Sequence, residues 1–118
     1  MSQNFTQNWG TQMKKGMLLL LVMNLIKKKS CYGKEMIRII KAETGIEIAE
    51  GTLYPILKKL KQEQLVVTKW VGVEGDERPK KYYYLTGKGG NLLQEINVKW
   101  GKLSLSYSSI LNYTHLPN

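Results

Sequence analysis

The chain has little with which to do covalent chemistry. A single cysteine and a single histidine, Cys31 and His115, exclude an intrachain disulfide and a cysteine-based zinc site. Such thiol use suits a reducing cytoplasm, with Cys31 as a buried free thiol and His115 as part of a tail over residues 113–118. No paired carboxylates, no nucleophile with an adjacent base, no phosphate loop and no metal cluster can be assembled, which argues against an enzyme and against a cofactor. Gly87, Gly89 and Gly90 cluster but lack a nucleotide-binding spacing. The apolar run from Met17 to Met23, extended by Leu25 and Ile26, is shorter than the roughly 20 residues a bilayer span needs. It is followed by Lys27-Lys28-Lys29 rather than a small-residue cleavage site, so neither a membrane partner nor a signal peptide is expected.

Acidic residues are also scarce: nine against 18 basic ones, for a net charge of +9. An excess of that size in 118 residues draws a protein to polyanions, whether nucleic acid, an acidic membrane or an acidic protein. With 42% hydrophobic residues the chain has enough apolar surface to fold, and its length allows one core rather than two.

Residues 1–10 read as a polar arm with Phe5 and Trp9 as its large apolar groups. From Thr11 to Lys29 the pattern is helical and apolar almost all round, which predicts burial on more than one side. Ser30 is a candidate cap for a second helix from about Tyr32 to Glu43, with Met36, Ile39 and Ile40 on one face and Lys34, Arg38 and Lys41 around the other. Gly45 fits a left-handed C-terminal cap, and Ile46-Glu47-Ile48 alternates as a short strand would. A third helix runs from about Gly51 to Gln64, with Leu53, Ile56, Leu57 and Leu60 at helical spacing. Pro55 then requires a start near Glu50 to Thr52, so that it falls within the first turn. Leu65 to Val71 and Lys80 to Leu85 read as two strands of a hairpin across the polar stretch Gly72 to Pro79. Thr86 is placed to cap a last helix from Gly87 to Asn112.

Helix, helix, helix and hairpin in that order make a winged helix-turn-helix: mostly α with a small β-wing, an N-terminal helix and a C-terminal dimerisation helix. The expected divisions are an arm at 1–10, a DNA-binding domain at 11–86, a dimerisation helix at 87–112 and the tail. The third helix is the element that enters a major groove. Its apolar stripe leaves Gly51, Thr52, Pro55, Lys58, Lys59 and Gln62 outward, with Tyr54 and Lys61 on the flank. Small residues at its tip let backbone N–H groups approach a phosphate. Thr52 and Tyr54 can donate to phosphate or base edges, as can Lys58, while Lys59 and Lys61 supply sequence-independent attraction. Arg78, Lys80 and Lys81 flank the wing tip and can grip a backbone or enter a minor groove, although Glu74, Asp76 and Glu77 in the same loop work against it. Tyr82, Tyr83 and Tyr84 alternate across the strand and read as structural. Without the surrounding elements, Lys58-Lys59-Leu60-Lys61 would fit a solvated helix face better than a DNA contact.

Four segments make the chain resemble the PadR family of bacterial winged-helix transcriptional regulators. They are Gly16-Met17-Leu18, Tyr32-Gly33-Lys34-Glu35-Met36, Gly51-Thr52-Leu53-Tyr54-Pro55-Ile56-Leu57, and the wing segment Arg78-Pro79-Lys80-Lys81-Tyr82-Tyr83-Tyr84-Leu85-Thr86. The resemblance spans about residues 9–110. It implies a homodimer that represses from a palindromic duplex-DNA operator, with DNA against Tyr32, Thr52, Tyr54, Arg78, Lys80 and Lys81. Lys34 and Pro55 are counted with these. The acidic loop is a departure from the pattern.

Leu93, Ile96, Trp100, Leu103, Tyr107 and Ile110 are spaced 3-4-3-4-3 along the last helix. That is a coiled-coil-type seam and, beside a first helix apolar all round, points to a second copy of the chain. Trp100 sits mid-seam, and some short relatives use an aromatic there to stack planar ligands, which makes a planar aromatic effector at Trp100 one expectation and a plain packed core the other. A basic winged-helix module that binds RNA or a protein without operator specificity is the competing function.

Overall fold

The computed structural model describes residues 3–115, in the order α1 (Gln3–Lys28), α2 (Gly33–Thr44), α3 (Glu50–Gln62), β1 (Val66–Val73), β2 (Asp76–Leu85) and α4 (Gly87–Leu111). The expected mostly helical architecture with a β-wing is the one formed. Residues 116–118, part of the expected tail, lie outside the described residues.

At 26 residues, α1 is about 39 Å long. It takes in the stretch read as a polar arm, of which residues 1 and 2 lie outside the described part. Phe5, Trp9 and Met13 recur every four residues and so form one apolar line along the helix, with the Phe5 and Trp9 rings meeting edge-on at 6.4 Å. Farther along, Leu18, Val22, Met23 and Ile26 are buried in the core.

Tyr32 rather than Ser30 stands at the N-cap of α2, without a side-chain cap bond. Gly45 ends the helix as expected, at φ 75°, its N–H donating to Lys41 O at 2.8 Å. Ile46 to Ile48 do not form the expected strand. No other strand lies beside them among the described residues. Instead the Thr44 hydroxyl donates to Ile40 O (2.6 Å) and accepts from Ile46 N (3.1 Å), while Ile48 drops into the core.

In α3, Leu53, Leu57 and Leu60 are fully buried, each worth about 1.5–3 kcal/mol of transfer free energy. The helix starts at Glu50, so Pro55 falls in the second turn, not the first as expected. The proline forfeits one bond, to the Gly51 carbonyl, and exposed Gly51 leaves that carbonyl to water.

The hairpin is longer than expected. Its pairing runs from Val66 opposite Leu85 through Val71 opposite Lys80 to Val73 opposite Asp76, with an irregularity between Val71 and Val73. The polar stretch read as a loop is therefore largely strand, and only Glu74 and Gly75, the latter at φ 81°, turn the chain. The side chains of Val73, Asp76 and Glu77 lie outside the described part, which leaves the expected opposition from the acidic loop unplaced. Pro79 is tolerated because a two-stranded sheet has alternate backbone groups facing no neighbour. One further bond ties the wing inward: Tyr83 N donates to Cys31 O at 3.0 Å, just ahead of α2.

The turn from α3 to β1 is clasped by the start of α4. Gln64 adopts φ 61°, a conformation that costs a non-glycine residue about 1–2 kcal/mol. Around it the Thr86 hydroxyl donates to Gln64 O (2.7 Å) and accepts from Gly89 N (2.9 Å), and Lys88 Nζ donates to Glu63 O (3.0 Å). A Cβ on Gly89 would run into the Leu65 carbonyl. Farther along α4, Asn97 and Asn24 of α1 exchange amide hydrogen bonds at 2.8 and 3.1 Å.

Candidate nucleic-acid interface

The outward face of α3 is as its periodicity requires. Gly51, Thr52, Tyr54, Pro55, Lys58, Lys59, Lys61 and Gln62 are all exposed. They divide by direction. Tyr54 leans toward α2 and the wing, while Thr52, Pro55 and Lys59 line a separate apolar groove against Lys15 and Leu19 of α1. Lys58 and Lys61 stand on the open surface.

The Tyr54 side chain crosses the start of α2 so closely that a Cβ on Gly33 would lie 2.5 Å from its hydroxyl. That contact gives the Tyr32-Gly33 pair a physical reason: only glycine lets the α3 tyrosine settle there. Burial pushes the Tyr54 hydroxyl up from its ordinary pKa, and the nearby Glu50 carboxylate adds to the shift. Tyr54 therefore stays protonated and able to donate.

Gly33 and Tyr54 line a cleft of about 270 Å³ together with Tyr32, Lys34, Trp70, Pro79, Lys80, Lys81 and Tyr83. Two of its cations lie over aromatic rings. Lys80 Nζ lies 5.8 Å from the Tyr32 ring centre and Lys81 Nζ 6.0 Å from that of Tyr83, within the range of a cation–π attraction. Tyr32 in turn meets Tyr82 edge-on at 5.5 Å. Lys34 Nζ reaches Glu50 Oε1 at 4.0 Å, both exposed, a contact worth at most about 1 kcal/mol.

Of the residues expected against DNA, Tyr32, Lys34, Tyr54, Lys80 and Lys81 thus converge on one cleft. Thr52 and Pro55 do not line it, and Arg78 is exposed farther along the wing. Trp70, 69% exposed at the edge of the cleft, was not expected there. The sequence signal that could have found it is strand register: Trp70 pairs with Lys81 two residues from the Thr68–Tyr83 pair.

The expected dimer seam is placed unevenly. Leu93 is fully buried in its own domain and Ile96 is half-buried, so Leu93 offers nothing to a second copy. Trp100, Leu103 and Tyr107 are 46%, 63% and 67% exposed, and Ile110 follows on the same row. Among the described residues no group of histidine, cysteine or carboxylate side chains could hold a metal ion, and no helix is long and apolar enough to cross a membrane.

A helix pair whose second member presents an exposed polar face beside a basic antiparallel wing defines a winged-helix, DNA-binding transcriptional regulator. Residues 22–95 match the transcriptional regulator PadR-like family, and the chain belongs to that family. It is similar to a PadR-like transcription factor of Bacteroides fragilis, with 39% identity and a TM-score of 0.72 over 87% of this chain and 98% of that one. It is also similar to a PadR-like transcriptional regulator of Bacillus cereus, with 27% identity and a TM-score of 0.80 over 87% and 99%. An uncharacterised protein of Lysinibacillus sphaericus is 30% identical over 91 residues, 75% of this chain and 83% of its own.

Proposed function

We propose that two copies of this chain pair through α1 and α4 and repress transcription by holding a palindromic operator. The observation that carries this reading is the convergence of Tyr32, Lys34, Tyr54, Lys80 and Lys81 on one cleft beside the exposed face of α3. In a symmetric dimer the two α3 helices enter successive major grooves, about 34 Å apart. Thr52, Pro55 and Lys58 meet base edges or phosphates there, Lys61 and Arg78 add attraction to the backbone, and Tyr54 donates to a phosphate. Trp100, half out of its own domain, lies where the two α4 helices meet. A planar aromatic molecule stacked on it would separate or rotate the halves and release the operator.

Competition on the intact protein tests this. A regulator prefers one short palindrome from its own promoter over random duplex by about a thousandfold or more. Tyr54→Ala with Lys58→Ala abolishes that preference while leaving the dimer folded. Unchanged affinity would sink the recognition-helix assignment. Affinity that follows salt but not sequence would instead identify a nonspecific binder of nucleic acid.

A further inference from the structure

We infer that Trp70 is a DNA-contacting residue, the apolar wall of a cleft that receives one sugar–phosphate unit of the duplex backbone. The inference rests on the DNA-binding reading above and adds to it a contact made through apolar surface, not charge.

Trp70 belongs to a strand face whose other members have work to do inside the protein. On that face Val66 is fully buried and Thr68 lies opposite buried Tyr83. Four residues beyond Val66, about 13 Å up the strand, the same face has left the core, and Trp70 overhangs the cleft at 69% exposure. Among the described residues nothing in its own domain covers it. The apolar rows that a second copy would cover run along α1 and α4, not on the wing.

The surroundings of Trp70 select its partner. Lys81 pairs with it across the hairpin, Lys80 and Lys34 share the cleft, and Tyr54 lines it with a hydroxyl able to donate. The outside of a duplex alternates anionic phosphates with apolar deoxyribose rings, and a cationic cleft with one large apolar wall repeats that alternation. The 270 Å³ of the cleft accommodates a sugar and its phosphate. Bases in an intact duplex are stacked inward and present no face here, so the indole lies against deoxyribose, and the contact is indifferent to sequence.

Binding of the full-length protein to a duplex from its own promoter, and to a random duplex, tests this. Trp70→Ala is expected to weaken both by about tenfold, the loss of one well-packed apolar contact, with the slope of log affinity against log salt unchanged. Lys81→Ala is expected to reduce that slope by about 0.9, as one released counterion requires. Trp70→Phe keeps a ring and restores most of the affinity. With fluorine-labelled tryptophan, the resonance missing from Trp70→Phe shifts when either duplex is added, a reading independent of whether the alanine variant folds. Parental affinity in Trp70→Ala, a loss confined to one duplex, or a Trp70 resonance that DNA does not move would each overturn the inference. In all three cases the parent protein still binds DNA, so the wider reading stands. A parent that binds neither duplex takes both down.

Discussion

Burial pushes the Cys31 thiol up to about 11 from its ordinary 9.0, and the negative charge of Glu35 adds to the shift. The group is therefore a neutral, packed thiol at physiological pH, unable to act as a nucleophile. Its linkage to stability has a definite sign. The folded state holds the proton more tightly than the unfolded state, so the contribution is complete below pH 9 and is lost as pH rises toward 11. Iodoacetamide at pH 8 is expected to leave Cys31 unlabelled in the native protein and to label it on unfolding; rapid native labelling would contradict this. A buried free thiol was legible from the lone cysteine. The partnership of Gly33 with Tyr54 was not, because the two residues are brought together only when α2 and α3 cross. Trp70 was legible only through strand register, which the turn at Glu74-Gly75 sets.

The elements themselves were largely written in local pattern. The leucines of α3, the glycine at the end of α2 and the Thr86 cap of α4 each stand where spacing and backbone chemistry put them. Errors came where local pattern was overruled. Ile46 to Ile48 alternate but find no strand to pair with, Pro55 survives in a second turn because its orphaned carbonyl meets water, and Phe5 to Met13 extend a helix through a stretch judged by its polarity. Leu93 shares the spacing of the α4 seam, yet its end of the helix lies on the core. The junction of α3, β1 and α4 is the most constrained of these contacts. Gly89→Ala sets a methyl against the Leu65 carbonyl, a backbone atom that cannot step aside. It is expected to cost about 3 kcal/mol, measured by urea unfolding; a loss within error would mean that the junction yields.

The whole molecule is long for its size. It measures 70 × 34 × 25 Å, and its radius of gyration is 17.8 Å, where a globular chain of this length would have about 13–14 Å. The excess lies in the beginning of α1 and the end of α4, where Phe5, Trp9 and Met13 and then Leu103, Tyr107 and Ile110 are exposed. Such rows are costly in water and support the dimer proposed above. Trp100→Asp is expected to sediment as a 13.6 kDa monomer, with the parent at twice that mass; a dimer that survives would place the seam elsewhere.

The bond from Tyr83 N to Cys31 O joins the wing to the start of α2 as though α2 carried a third strand. Wing and helix pair are thereby pinned into one jaw, and part of the entropy of setting one against the other is spent at folding, before DNA arrives. In the dimer proposed above, release from an operator is then expected to come from a change in the distance and angle between the two jaws, which makes its control a matter of spacing.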